Sequence, residues 1–292
     1  MKNLNSKTKY GGLIYTVVLL FYTVLSYSVS LVFKALNVQT DVYYAIYPVF
    51  SAGTLLACAL FCRKKFSIEI GFNKFSAVNL IYVLMISAGV LFGFGFLSDL
   101  VSRAIESLGG VISRSDIKVD AWWKYIVYSL SLCVLPAIAE ESFFRGTLLR
   151  CFPKENVLTA IFTTAFCFAL YHLNAAQFIY QFIYGAILGV LTISAKSIIP
   201  AIITHFINNF AVITLDFFSV AVDFYNIIFI SCWACCVAVV IAVMVSGIAV
   251  KLFAEKKTRG KEKTSAAKEF YIPFGIIGIT FSLLIIILSV TA

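Results

Sequence analysis

The sequence predicts an all-α, polytopic integral membrane protein with about eight to nine transmembrane helices. Of its 292 residues, 61% are hydrophobic and only 13% are charged, and the mean hydropathy of +0.97 lies outside the range of soluble domains. Apolar runs of about 20 residues, the length that crosses a bilayer, recur along the whole chain. The longest hydrophilic stretch is the segment 254–269, so we expect no separate soluble domain.

Nine apolar segments are candidate spans. The first, 11–33, follows three lysines like a signal peptide, but it is long enough to span a bilayer and has no small-residue cleavage site. The others lie at about 42–62, 79–98, 122–149, 156–173, 177–195, 198–217, 226–250 and 271–291. We divide the chain into N-terminal helices and interfacial segments at 1–121, a central segment at 122–217, and C-terminal helices with a basic loop at 218–292.

Basic residues are distributed as expected for a multi-pass protein of the cell membrane. With the N-terminus in the cytoplasm, nine spans put only Lys34, Arg103, Arg114, Lys118 and Lys124 outside, leaving 18 of the 23 basic residues inside. This is the positive-inside pattern. It explains the net charge of +9 better than nucleic-acid binding does, and it places the C-terminus outside.

Other sequence features favour packing or interfacial roles. The eight cysteines lie in or near apolar spans and are expected to be buried thiols rather than disulfides. The run Cys232-x-x-Cys235-Cys236 lacks the second ligand pair of a metal site. Segments 65–75 and 100–119 carry apolar residues suited to interfacial amphipathic helices, although an ordinary loop fits 65–75 equally well.

Glu140, Glu141 and Arg145 follow an uncharged apolar run. Each ionised group near the bilayer centre costs about 2.5–3.5 kcal/mol, so three together indicate function. Glu141 and Arg145 are four residues apart in the order that favours an ion pair. Glu140 points about 100° away and remains free to face a cavity as a general base. Pro136 removes a helical hydrogen bond one turn earlier, which predicts a kink or opening there.

The only two histidines of the chain, His172 and His205, both lie in apolar spans. A lone membrane histidine often only joins two helices by a hydrogen bond, but two with none elsewhere suggest a shared site. Asn209 is four residues after His205 and shares its helix face, while Asn208 is expected to face elsewhere. Phe168, one turn before His172, is expected to wall the same cavity.

These groups provide a carboxylate base, an imidazole that can share a water with it, and a donor pair for an oxyanion. Such a set suits amide hydrolysis. The sequence contains neither a Gly-x-Ser-x-Gly nor a His-Glu-x-x-His motif. Ser142 has no base at a suitable spacing, so we interpret it as a packing residue.

Three motifs in this order resemble those of the CPBP family of intramembrane proteases. The family includes type II CAAX prenyl endopeptidases and bacterial Abi or bacteriocin-immunity proteins. The motifs are Glu-Glu-x-x-x-Arg at 140–145, Phe-x-x-x-His at 168–172 and His-x-x-x-Asn at 205–209. The resemblance covers roughly 122–217. It implies that Glu140 and His172 activate water and that His205 and Asn209 hold the oxyanion, with Glu141 and Arg145 in support.

The resemblance leaves the cofactor open. Some members are named metalloproteases, and Glu140, His172 and His205 would supply three ligands to zinc with water as the fourth. The sequence offers no obvious carboxylate to orient the histidines, which favours direct activation of water. Helix rise also raises a question of depth, because His172 lies about 27 Å beyond Lys154 on a straight helix, whereas Glu140 and His205 lie in the cytoplasmic half.

The sequence therefore predicts an endopeptidase that cleaves membrane-associated peptides or proteins from a cavity within the bilayer. The plain, compact chain is typical of a bacterial member with unmodified substrates, and prenylated substrates are implied only by eukaryotic relatives. One alternative is a non-enzymatic immunity or scaffold protein of the same fold. Another is a transporter in which Glu140 and His172 relay protons, although no internal repeat supports it.

Overall fold

We describe the protein from a computed structural model, whose described elements are all helical. The structure describes residues 2–37, 44, 47–61, 70–75, 78–112, 118–152, 157–220, 233–234, 236–237, 270–271 and 276–291, and no strand occurs among them. The all-α prediction is confirmed for this part of the chain. The basic loop 254–269, Cys232 and Cys235, and all but four residues of the candidate span 226–250 lie outside the described residues.

Nine helices are named here in chain order. They are α1 (Lys2–Ala35), α2 (Tyr47–Phe61), α3 (Val78–Phe94), α4 (Phe96–Ser107), α5 (Trp122–Cys151), α6 (Val157–Tyr171), α7 (Phe178–Ala195), α8 (Ile199–Phe217) and α9 (Ile276–Thr291).

Within the described residues, five helical segments are long and apolar enough to cross a membrane. They are Tyr10–Ala35, Val83–Ser107, Trp122–Cys151, Phe178–Ala195 and Ile199–Phe217. Helices α2, α6 and α9 are apolar but shorter. The chain is thus a helical membrane protein, and the total of eight to nine spans stays a prediction.

The region after α3 agrees with the prediction only in part. The sequence placed the end of a span near residue 98 and an amphipathic segment at 100–119. Helix α4 is amphipathic, but only Gly95 separates it from α3, and Val83–Ser107 together form one long apolar segment. Helix α4 ends at Ser107 because Gly109 follows in a left-handed conformation, φ +83°, which commonly stops a helix.

Helix α5 is irregular around the Glu-Glu pair. It is α-helical over Trp122–Tyr128, π-helical over Ser129–Val134, α-helical over Leu135–Glu141, π-helical over Ser142–Leu148 and 3-10 helical over Leu149–Cys151. The disturbance predicted at Pro136 therefore takes the form of a π-helical segment just before it. Such segments within α-helices occur frequently at functional sites.

Close packing of α6 on α7 depends on a glycine. A Cβ added at Gly185 would lie 3.0 Å from the Ala165 Cα and 3.2 Å from the Phe168 ring, so only glycine lets the two backbones approach this closely. Helix α1 joins the same core, where Tyr15 donates a hydrogen bond of 3.2 Å to the Cys167 carbonyl. These contacts fix α6, which leads to His172, against its neighbours.

The short segment 70–75 is bound to the turn between α7 and α8. The Ile198 amide donates to the Gly71 carbonyl at 3.1 Å, Asn73 Nδ2 donates to the Lys196 carbonyl at 2.8 Å, and Ser197 Oγ donates to the Asn73 carbonyl at 2.6 Å. Residues 72–75 are not helical, so the loop interpretation holds for this part of 65–75. Ile70, which is fully buried, lies against α5.

Candidate active site

Glu141 is the centre of a buried charged cluster. Its Oε1 accepts hydrogen bonds from Arg145 Nη1 at 2.9 Å and from His205 Nδ1 at 2.8 Å, and the three side chains are at most 3% exposed. The ion pair predicted from the four-residue spacing is thus present. The bond to His205 was not predicted, because it joins α5 to α8 across 64 positions of sequence.

Arg145 connects this cluster to α6 and α7. Its Nη2 donates to the Gly185 carbonyl at 3.1 Å. Its guanidinium carbon lies 4.4 Å from the centre of the Phe168 ring, a cation–π distance. Phe168 also packs edge-on to His172 and His205, with centroid distances of 4.7 and 5.9 Å. Phe168 therefore contacts both histidines, but it is not among the residues that line the cavity described below.

The tautomer of His172 follows from its position at the end of α6. Its Nδ1 lies 2.8 Å from the Phe168 carbonyl. A carbonyl oxygen can only accept, so Nδ1 carries the proton and the neutral ring presents Nε2 as an acceptor. His205 Nδ1 also carries a proton, because it lies 2.8 Å from the Glu141 carboxylate, and Nε2 is the ring nitrogen left to act in the cavity.

One cavity of about 490 Å³ brings the predicted groups together. Glu140, His172, His205 and Asn209 all line it, and Glu140 Oε2 is buried without a hydrogen-bond partner among the described residues. The rest of the lining combines tyrosine and amide side chains with an aliphatic side: Tyr22, Tyr44, Tyr47, Tyr171, Tyr180, Asn174, Gln177, Gln181, Asn208, Leu91, Gly95, Ser98, Leu132, Pro136, Val212 and Ile213.

The expected mismatch in depth does not occur. Glu140 lies about 16 Å from the Cys151 end of α5, and His172 lies about 22 Å from the start of α6 at Val157. Cys151 and Phe152 are only 3% and 6% exposed, so the connection between these helices begins inside the protein. The two residues consequently reach the same cavity.

Asn208 corrects one detail of the prediction. It was expected to face away from Asn209 because neighbouring helical residues point about 100° apart, yet both line the cavity. The cavity is wide enough to meet both directions on α8. Asn208 Oδ1 accepts a hydrogen bond of 2.6 Å from Tyr180 on α7, and Asn209 Nδ2 donates at 3.1 Å to the Leu132 carbonyl on α5.

The zinc alternative for Glu140, His172 and His205 stays a prediction. Among the described residues, no group of three or more His, Cys, Asp or Glu side chains could hold a metal ion, and Glu140, His172 and His205 belong to that part of the chain. The expectation that no carboxylate orients the histidines is wrong for His205, because its Nδ1 is hydrogen-bonded to Glu141.

The comparison with protein families now adds to this geometry. Residues 122–211 match the family model of type II CAAX prenyl endopeptidase Rce1-like proteins. This segment is similar to CAAX-type proteases of the CPBP family. The matched residues extend from the start of α5 into α8 and include all seven predicted site residues. No curated protein and no solved structure matches the chain.

Tyr180 and Asn208 are two of the polar residues in the matched segment that sequence reasoning missed at the site. Tyr180 had no signal, because it lies 28 residues before its partner on another helix. Asn208 had a weak one, since two adjacent amides in an apolar span are costly unless both have partners.

Proposed function

We propose that the protein is an intramembrane endopeptidase in which Glu140 and His172 activate water for the hydrolysis of peptide bonds. The observation that carries this proposal is the single cavity shared by the buried, unpartnered Glu140 carboxylate oxygen, His172, His205 and Asn209. Buried polar groups are normally paired, so an unpaired carboxylate oxygen beside two histidines suits a reacting water. The similarity of residues 122–211 to a protease family supports this reaction class.

The first step is attack of water on the substrate carbonyl. The water donates one hydrogen bond to the Glu140 carboxylate and another to Nε2 of neutral His172. These two bonds point a lone pair of the water oxygen toward the carbonyl carbon. As the new carbon–oxygen bond forms, Glu140 takes the first proton and the carbonyl π electrons move to oxygen. The product is a tetrahedral oxyanion.

His205 and Asn209 are placed to stabilise that oxyanion. Asn209 Nδ2 has one hydrogen on the Leu132 carbonyl and a second one left to donate. For His205 to donate to the oxyanion, Nε2 must carry a proton as well as Nδ1, and the Glu141 carboxylate on Nδ1 would balance the charge of that ring. Collapse of the oxyanion breaks the carbon–nitrogen bond, and protonated Glu140 returns its proton to the leaving amine.

The cavity lining suggests which substrates fit. Apart from Glu140 and the two histidines, its described lining is uncharged and combines tyrosines, carboxamides and aliphatic side chains. We expect an uncharged peptide segment of a membrane-associated substrate, with no prenyl group required. The setting is the membrane of a bacterial cell, and no metal cofactor is part of this proposal.

The test is peptide hydrolysis by the purified full-length protein in liposomes, with a library of quenched-fluorescent peptides. Glu140→Gln keeps the shape of the side chain but removes the base, and we expect turnover to fall about 10²- to 10⁴-fold. His205→Ala should also lose most turnover. Glu106→Gln is the matched control, because this exposed residue on α4 lies outside the cavity lining.

Each arm of the assay has an outcome that decides against the proposal. Full activity of folded Glu140→Gln would exclude a role for this carboxylate as the base. Loss of wild-type activity on treatment with a strong chelator, restored by zinc, would show a metal centre instead. A folded wild-type protein that cleaves no peptide in the library would favour the immunity or scaffold function.

A further inference from the structure

We propose that Tyr180 and Asn208 are positioning residues that hold the Asn209 amide in the orientation the oxyanion requires. This inference rests on the proposed function. The three side chains and the Leu132 carbonyl form a continuous chain of hydrogen bonds from α7 through α8 to α5. Neither the sequence motifs nor the family match assigns a role to Tyr180 or Asn208.

The chain begins at a carbonyl that lacks its usual α-helical partner. In a regular α-helix the Leu132 carbonyl would accept from the amide four residues later, but that residue is Pro136, which has no N–H. Leu132 also lies in the π-helical segment Ser129–Val134. Its carbonyl accepts from Asn209 Nδ2 at 3.1 Å.

Chemistry fixes the direction of every following bond. The Leu132 carbonyl can only accept, so the NH₂ end of Asn209 must face it and Oδ1 must face Asn208. Asn208 Nδ2 then donates to Asn209 Oδ1, at 3.4 Å. This turns Asn208 Oδ1 toward Tyr180, whose hydroxyl donates to it at 2.6 Å. Reversing one amide would place two donors or two acceptors opposite each other.

The consequence is a single orientation for the second N–H of Asn209. An asparagine amide reverses its donor and acceptor ends by a rotation about χ2, and the wrong orientation would present an oxygen to the oxyanion. Tyr180 and Asn208 oppose that rotation from one side, and Leu132 opposes it from the other. Preorganised donors are what oxyanion stabilisation requires, because they need no rearrangement during the reaction.

The inference is tested by the kinetics of Tyr180→Phe and Asn208→Leu in the same liposome assay. Removing one ordinary hydrogen bond corresponds to about a 3- to 10-fold change in an equilibrium or rate. We expect kcat to fall by this factor in each variant with KM within about twofold, because the substrate is bound as before. Tyr184→Phe is the matched control, since its buried hydroxyl has no hydrogen-bond partner within the described residues.

A double-mutant cycle separates positioning from direct contact with the substrate. If Tyr180 acts through Asn209, Tyr180→Phe should have little further effect in an Asn209→Ala background. Equal losses in both backgrounds, a rise in KM alone, or an unchanged kcat would overturn the inference while leaving the proposed hydrolysis intact.

Thermal unfolding provides a readout that does not need activity. Tyr180→Phe and Asn209→Ala should be energetically coupled through Asn208 although the two residues are not hydrogen-bonded to each other. Coupling that disappears in an Asn208→Leu background supports the chain of bonds. If the effects of Tyr180→Phe and Asn209→Ala are strictly additive while Asn208 is unchanged, the chain of bonds is contradicted, whether or not any peptide is cleaved.

Discussion

Glu141 is a buried carboxylate whose Oε1 accepts hydrogen bonds from two residues, Arg145 and His205. Removing one member of a buried ion pair leaves the other charge uncompensated, which typically costs about 3–5 kcal/mol. If Arg145 is removed, the uncompensated charge is that of Glu141, which also orients His205. Stability and chemistry are therefore linked at this residue.

We predict that Arg145→Met destabilises the protein by about 3–5 kcal/mol, because Glu141 loses its ion pair and the Gly185 carbonyl loses a donor. Unfolding in detergent, by heat or by titration with a denaturing surfactant, measures the change. Adding Glu141→Leu should restore part of the loss, since the Glu141 charge is then no longer buried without Arg145.

Arg103→Met is the control for this experiment. Arg103 has the same four-residue spacing to Asp99 and an N···O distance of 2.7 Å, but the two side chains are 64% and 46% exposed. Exposed pairs contribute about 0–1 kcal/mol. If Arg145→Met loses no more stability than Arg103→Met, burial does not strengthen the ion pair between Arg145 and Glu141.

Which residue contacts could be predicted depends on whether they lie within one helix. The Glu141–Arg145 pair follows from helix geometry alone, because residues four apart share a face. The Glu141–His205 bond joins two helices, and no spacing rule relates residues 64 positions apart. The prediction for Asn208 was wrong for a different reason. Helix geometry gives the direction of a side chain but not the width of the cavity that the side chain faces.

At the scale of elements, α5 depends on Gly146 in its second π-helical segment. A Cβ at this position would lie 2.4 Å from Ile70 Cγ2 and 3.0 Å from the Ile70 carbonyl oxygen. The side chain of Ile70 could shift, but its backbone is held by the bonds of segment 70–75 to the turn after α7. Only glycine allows that segment to lie directly on the helix carrying Arg145.

We predict that Gly146→Ala lowers stability by about 1–3 kcal/mol, the usual cost of an overpacked core position. Gly189→Ala on α7 is the matched control, because its new Cβ would be 3.5 Å from Ile161, an ordinary contact, and alanine favours the helix by up to about 1 kcal/mol. Thermal unfolding of the two variants measures the difference. Equal effects would mean that the contact with Ile70 does not constrain α5.

Adding Ile70→Ala to Gly146→Ala refines this test. It removes the Cγ2 atom of the closest approach while the carbonyl contact remains. We expect a partial recovery relative to Gly146→Ala alone, after correction for the cavity that Ile70→Ala leaves by itself. No recovery would place the cost in the backbone contact.

Helices were predictable as elements, but their irregularities were not. Long apolar runs indicate spans because each needs about 20 residues, and this rule identified α1, α5, α7 and α8. It misplaced the boundary between α3 and α4, since a single glycine between two apolar stretches does not end an apolar run. Pro136 indicated a disturbance in α5, but the π-helical form depends on packing with neighbouring helices.

At the scale of the whole molecule, topology depends on the region between α8 and α9. In the predicted arrangement α8 runs from the cytoplasmic Lys196 side outward to Asp216. The basic loop 254–269 is predicted to be cytoplasmic, so a further span must return the chain across the membrane before it. The candidate for that span is 226–250, and its presence decides between eight and nine crossings.

We predict that the N-terminus is cytoplasmic and the C-terminus lies outside, because nine crossings place the two ends on opposite sides. When alkaline phosphatase is fused to the C-terminus of the full-length protein, the phosphatase should be active. When a fluorescent protein is fused there instead, it should be dark, because it is exported by this route. N-terminal fluorescent protein is the matched control and should be bright. If the C-terminal fluorescent fusion is bright and the phosphatase inactive, both ends share the cytoplasm and the number of crossings is even. In that case 226–250 does not cross, the basic loop moves outside, and the distribution of lysine and arginine no longer explains the net charge of +9.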